Sequence, residues 1–129
     1  MEKKKQKILM IEDDPFTRKL YRNKLNLAGF DVDEAISGEE GLNKVRAEKP
    51  DLILLDIILP RKSGLDVLIE LKGNEKTKDI PVIILSVLGQ VQDIKKGLTL
   101  GAKDYLVKSE ITISEVVAKA RECLKNKKL

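Results

Sequence analysis

The sequence contains no histidine, one cysteine, and only two phenylalanines and two tyrosines. Each shortage closes a line of chemistry. Without histidine the commonest zinc ligand and the commonest general base are missing, so a bound metal has to be a hard ion held by oxygen. The lone Cys123 cannot form an internal disulfide. Every apolar run falls far short of the roughly 20 residues that cross a bilayer, and the lysine-rich start carries no apolar signal region. A cytoplasmic location with no membrane contact is the resulting expectation. Few aromatic rings are present to stack on bases. The formal charge of +4 is crowded at the ends, in Lys3, Lys4, Lys5 and Lys7 and in Lys125, Lys127 and Lys128, while other basic residues mix with acidic ones. Solvated tails account for this charge, and no direct nucleic-acid binding is expected.

What is present describes a folded domain. At 129 residues, 42% hydrophobic and 36% charged, the chain has the size and balance of one domain with a single core. We expect a basic tail over 1–6, a domain over 7–125 and a second basic tail over 126–129, with little room for an effector domain.

Strand-like and helix-like segments alternate five times. Ile8-Leu9-Met10-Ile11 is a short apolar run, and Asp14-Pro15 after it supplies a helix cap with proline at the first helical position. The following helix, to Leu27, carries Phe16, Leu20, Lys24 and Leu27 on one stripe with Tyr21 and Leu25 beside it, and Gly29 ends it. Residues 31–35 form a weak strand polar enough for a sheet edge, and Ser37 or Gly38 opens a helix bearing Leu42 and Val45. Leu52 to Leu55 make the third strand; the helix after Ser63-Gly64 presents Leu65, Leu68 and Ile69. Val82 to Leu85 make a fourth strand suited to burial on both faces, with Ser86 at its end. A fourth helix, about 89–100, places Val91, Ile94 and Leu98 on a stripe, and Gly97 within it predicts low local stability. The fifth strand covers about 103–107, and the last helix carries Ile113, Val116, Val117, Ala120 and Leu124.

Five such units with central strands apolar throughout predict an α/β fold: a doubly wound, five-stranded parallel sheet in the order 2-1-3-4-5, a flavodoxin-like three-layer sandwich. In that order Glu12, Asp13, Asp56, Ser86 and Lys108 converge at the carboxyl ends of the strands. Clustered carboxylates there call for a cation. Asp13 and Asp56 are suited to share an octahedral Mg²⁺, with Glu12 reaching it directly or through water and a backbone carbonyl near Ile58 filling another position. An Asp56 oxygen is then free to attack phosphorus, Lys108 to pair with the transferred group, and Ser86 to donate to one of its oxygens.

Ile11-Glu12-Asp13-Asp14-Pro15, Leu54-Leu55-Asp56 with Pro60 and Gly64, Ser86 after Val82-Ile83-Ile84-Leu85, and Gly101-Ala102-Lys103-Asp104-Tyr105-Leu106-Val107-Lys108 carry a resemblance. Over residues 7 to 125 the chain resembles a response-regulator receiver domain of two-component signalling, of the stand-alone chemotaxis-regulator-like type. The resemblance implies that Asp56 is the phosphoacceptor, Asp13 the direct metal ligand, Glu12 the water-mediated one, Ser86 the switch hydroxyl, Lys108 the phosphate-binding lysine and Tyr105 the aromatic switch. It also implies a sensor histidine kinase or histidine phosphotransfer protein as donor. The output is then a protein target docking on the fourth helix, fifth strand and fifth helix, and the state a monomer or a phosphorylation-dependent dimer. Such domains catalyse their own phosphorylation and dephosphorylation but act mainly as switches.

The chain departs from that pattern at Ser109, where a proline is usual, at Val87, where alanine or glycine is usual, and in apolar residues at Ile58 and Leu88. Glu110 is placed to compete for Lys108. Slow hydrolysis of the phosphoryl group is expected. Two other function classes compete with the phosphorylated switch: a phosphorylation-independent interaction module, motivated by Val87 and Ser109, and a small Mg²⁺-dependent phosphohydrolase, which lacks a spare acid or base.

Overall fold

The computed structural model describes residues 4–126. The expected tails include residues 1–3 and 127–129, which lie outside the described residues. The elements in chain order are β1 (Lys7–Ile11), α1 (Pro15–Leu27), β2 (Asp31–Ala35), α2 (Gly38–Glu48), β3 (Leu52–Leu55), α3 (Gly64–Lys72), β4 (Val82–Ser86), α4 (Val91–Thr99), β5 (Asp104–Val107) and α5 (Ile113–Asn126), with a 3₁₀ turn at Lys108–Glu110. All strand pairs are parallel and the order is β2-β1-β3-β4-β5, as the sequence predicts.

The continuous apolar runs follow from burial on both faces. Along β1, Leu9 and Ile11 join the core that includes Leu42 and Val45 of α2 and Val67, Leu68 and Leu71 of α3. Ile8 and Met10 point the other way, to Tyr21 and Leu25 of α1 and Val116, Ala120 and Leu124 of α5. This is the alternation of a pleated strand with helices on each side. Strand β2 has one neighbour and is the polar edge. No described helix is long and apolar enough to cross a membrane.

Helix starts are set by side-chain caps. Asp14 accepts from Thr17 N at 2.8 Å with Pro15 next, Ser37 accepts from Glu40 N, and Ser63 from Leu65 N. These bonds satisfy helix N–H groups that have no intrahelical partner. The Asp14 carboxyl is held below its ordinary value of 3.8, first by the Thr17 hydroxyl and then by the Thr17 amide.

Three helix faces differ from the sequence reading. In α1 the buried residues are Tyr21 and Leu25, whereas Phe16 is 70% and Leu27 84% exposed. Ile69 of α3 is exposed, and Val67 and Leu71 pack inward with Leu68. In α4, Val91 and Leu98 are exposed and Gly97 is the buried residue. The reason at Gly97 is close approach: a Cβ there would lie 2.7 Å from Ile84 Cδ1 and 2.8 Å from Tyr105 Cδ2. Gly97 is a packing requirement, whatever its cost in helix propensity. Gly97→Ala is expected to push α4 off β5 and cost about 1–3 kcal/mol by overpacking, read as a lowered urea midpoint. An unchanged midpoint would show that α4 is not seated this tightly.

Candidate functional site

The sheet register brings the chemistry to one end. Ile11 pairs with Leu55, Leu55 with Ile84, and Ser86 with Val107. Glu12, Asp56 and Lys108 therefore leave three strands at similar depth, beside Ser86 at the end of β4. Asp56 N donates to Ile11 O at 3.1 Å, which continues the β1–β3 ladder to the site. This is the carboxyl edge of an open parallel sheet, at the switch point between β1 and β3.

Lys108 ties the site together. Its Nζ donates to Glu12 Oε1 at 2.5 Å and to Asp56 Oδ2 at 3.0 Å. Glu12 is 4% and Asp56 6% exposed. The remaining oxygens are also bonded: Asp56 Oδ1 accepts from Ile58 N at 3.2 Å, and Glu12 Oε2 from Asp14 N at 3.2 Å. Burial pushes the Glu12 carboxyl above its ordinary 4.5; the Lys108 hydrogen bond pulls it down, and the Asp56 charge pushes it up. For Lys108, burial alone would depress the ammonium, but the hydrogen bond with Glu12 and the charge of Asp56 outweigh burial and hold it above 10.5. Lys108 turns to these two acids while Glu110 stays exposed in the 3₁₀ turn. The bond into Ser109 is trans, as are the other described peptide bonds.

Asp13 completes the acid cluster. Ligand oxygens of Glu12, Asp13 and Asp56 lie within 4.8 Å of one another. Three carboxylates against the single Lys108 ammonium leave two negative charges. A divalent ion accepting hard oxygen ligands fits that charge and that donor set. Exposed Asp13 gives such an ion an open, water-facing side.

Ser86 and Tyr105 meet at the backbone of Leu88. Ser86 is fully buried and its Oγ accepts from Leu88 N at 3.2 Å, while the Tyr105 hydroxyl donates to Leu88 O at 2.6 Å. Tyr105 is buried, with its ring against Gly97. Ser86 and Tyr105 are thus hydrogen-bonded to the two ends of one residue, Leu88, and Tyr105 packs against α4 at Gly97. Val87 and Ile58 are exposed beside the site.

The sequence reading missed Arg18. Its guanidinium donates to the carbonyls of Glu12 and Asp13, the backbone that carries two of the acids. The available signal was an arginine one helical turn past the Asp14 cap.

A parallel five-stranded sheet in this order, with an acid triad at its switch point and a lysine just past the last strand, defines a receiver fold. The family model of the response regulator receiver domain matches residues 8–121. The chain belongs to that family. It is 41% identical over 119 residues to the DNA-binding dual master transcriptional regulator RpaA of Synechocystis sp., covering 92% of this chain and 49% of that protein. Among solved structures, the BeF3-activated N-terminal receiver domain of Klebsiella pneumoniae RstA is 32% identical, with a TM-score of 0.86, covering 92% of this chain and 98% of that one. The receiver domain of a Francisella response regulator is 29% identical with a TM-score of 0.87, over 94% and 98% of the two chains.

One expectation is overturned. The absence of direct nucleic-acid binding conflicts with similarity to a DNA-binding transcriptional regulator. The chain spans about half the length of the curated relatives it matches. Tail charge and aromatic content in these 129 residues therefore say nothing about DNA contacts made by the rest of such a protein.

Proposed function

We propose that Asp56 accepts a phosphoryl group from a phosphohistidine on a sensor histidine kinase or histidine phosphotransfer protein, and that the domain switches its partner surface in response. The observation that carries this reading is the Lys108 ammonium bridging buried Glu12 and Asp56 with Asp13 beside them. An unphosphorylated interaction module has no use for carboxylates buried together at a cost in stability.

One Asp56 oxygen attacks phosphorus, the phosphorus–nitrogen bond breaks, and the leaving imidazole nitrogen takes a proton from solvent. Glu12, Asp13 and Asp56, with the Ile58 carbonyl, are the residues that would hold Mg²⁺. When bound, that ion offsets charge between Asp56 and the incoming phosphoryl oxygens. Lys108 leaves Asp56 for the phosphoryl group, and the Ser86 hydroxyl donates to one of its oxygens. Withdrawing Ser86 from Leu88 N frees the segment that holds the Tyr105 hydroxyl, so Tyr105 and α4 shift together. The output face is α4, β5 and α5, used by a protein target or by a second copy in a phosphorylation-dependent dimer. Apolar Ile58 and Leu88 place no hydrogen-bonding side chain for an attacking water, which favours slow self-dephosphorylation. We infer a cytoplasmic switch, and similarity to transcriptional regulators favours gene control as the output.

Beryllium fluoride with Mg²⁺ tests the reading as a phosphoryl mimic. Amide resonances of Asp56, Ser86, Leu88, Tyr105 and Lys108 are expected to shift in the native chain and to stay in place in Asp56→Asn. Shifts confined to the acid cluster, with Leu88 and Tyr105 unmoved, would remove the proposed switch.

A further inference from the structure

The backbone of Glu12 and Asp13 lies past the end of β1 and before the first helical hydrogen bond of α1, Arg18 N to Asp14 O. Glu12 N donates to Ala35 O at 3.0 Å, and the two carbonyls are held by one side chain. Arg18 donates from a single terminal nitrogen to Glu12 O at 3.0 Å and to Asp13 O at 2.9 Å. Its Nε is 3.3 Å from Glu34 Oε1 on edge strand β2, and Arg22 takes the other Glu34 oxygen at 2.8 Å. The Arg18 side chain is only 17% exposed. A planar guanidinium fixed by a carboxylate on one edge loses little freedom when it donates from the other.

We propose that Arg18, anchored by Glu34, is a positioning residue: it clamps the Glu12 and Asp13 carbonyls and thereby aims their carboxylates toward Asp56. The inference rests on reading the acid cluster as a divalent-cation site. The sign of the effect separates positioning from simple charge. A cation beside an acidic cluster repels a divalent ion, so losing Arg18 as a mere charge would tighten Mg²⁺ binding. Losing it as a clamp weakens binding, because loosely held ligands have to be ordered by the ion.

The experiment is calorimetric titration of Mg²⁺ into the full chain at fixed ionic strength, for native protein, Arg18→Met, Arg18→Lys and Arg22→Met, with thermal melts to confirm folding. Arg22→Met also removes a cation and a Glu34 contact but leaves the loop carbonyls alone. Arg18→Met is expected to bind Mg²⁺ roughly tenfold more weakly, in the range seen for groups that orient metal ligands. Arg18→Lys, which keeps the charge and loses the fork, is expected to fall between it and native, and carries the test if Arg18→Met does not fold. Arg22→Met is expected to match native or bind slightly more tightly. In metal-free protein, amide exchange at Glu12, whose N–H donates to Ala35 O, and at Asp14, whose N–H donates to Glu12 Oε2, is expected to accelerate in the Arg18 variants only. Unchanged or tighter Mg²⁺ binding in both Arg18 variants would overturn the inference. So would native exchange rates at Glu12 and Asp14 in both. A native chain that binds no Mg²⁺ would overturn the cation-site reading itself, and accelerated exchange would then leave Arg18 a role in loop structure alone.

Discussion

Gly64→Ala is expected to cost the domain at least about 3 kcal/mol, lowering its melting temperature by roughly 10 °C. Gly64 is the first residue of α3, and its N–H donates to Ile57 O at 2.8 Å. A Cβ at this position would sit 2.0 Å from Asp56 O and 2.7 Å from Ile57 Cα. Both neighbours are backbone, so no side chain can rotate away. Either α3 lifts from β3, exposing Val67, Leu68 and Leu71, or the chain after Asp56 moves. The second response misplaces the Ile58 N–H that holds Asp56 Oδ1. A melt within a degree or two of native would mean that this junction has slack the geometry does not contain.

Lys108→Met is expected to destabilise the metal-free domain by about 3 kcal/mol at pH 7, because it leaves Glu12 and Asp56 facing each other in a buried site without a cation. The loss depends on pH in a defined direction. The Lys108 ammonium has a raised folded-state value, so its contribution is fully present below 10.5 and lost only as pH rises through that higher value. At pH 7 it is therefore all at stake. Glu12 has a raised value as well, so the folded state binds its proton more tightly than the unfolded chain does. Stability thus rises as pH falls through the folded-state value of Glu12, which removing Lys108 raises further. The deficit of Lys108→Met relative to native is accordingly larger at pH 7 than at pH 5. Equal deficits at both values would show that Lys108 acts through packing of its stem, with no electrostatic share.

The strands and the site were legible in the sequence for the same reason. Central strands β1, β3 and β4 are buried on both faces, so their apolar runs are unbroken and end abruptly at Glu12, Asp56 and Ser86. The residues proposed to carry the chemistry include the first polar groups after those runs. Helix faces were less legible. Phe16, Leu20 and Leu27 make as good a stripe as Tyr21 and Leu25, and hydrophobicity does not choose between them. The choice comes from the chain path, with Asp14 capping α1 so that Tyr21 and Leu25 meet Phe30 and α5. Gly97 reads as a helix weakness until Ile84 and Tyr105 are seen beneath it. The pairing of Lys108 with Glu12 spans 96 positions and leaves no trace in residue spacing, and Arg18, one helical turn past the Asp14 cap, acts on carbonyls that no side-chain pattern reveals.

The central claim is that Asp56 is a Mg²⁺-assisted phosphoacceptor. Intact mass after incubation with phosphoramidate tests it directly, comparing native chain with Mg²⁺, native chain with chelator, and Asp56→Asn with Mg²⁺. The account predicts a gain of one phosphoryl group in the first sample alone, persisting for minutes or longer after donor removal. No gain in the first sample, under conditions that modify another receiver domain, or an equal gain in Asp56→Asn, would contradict it.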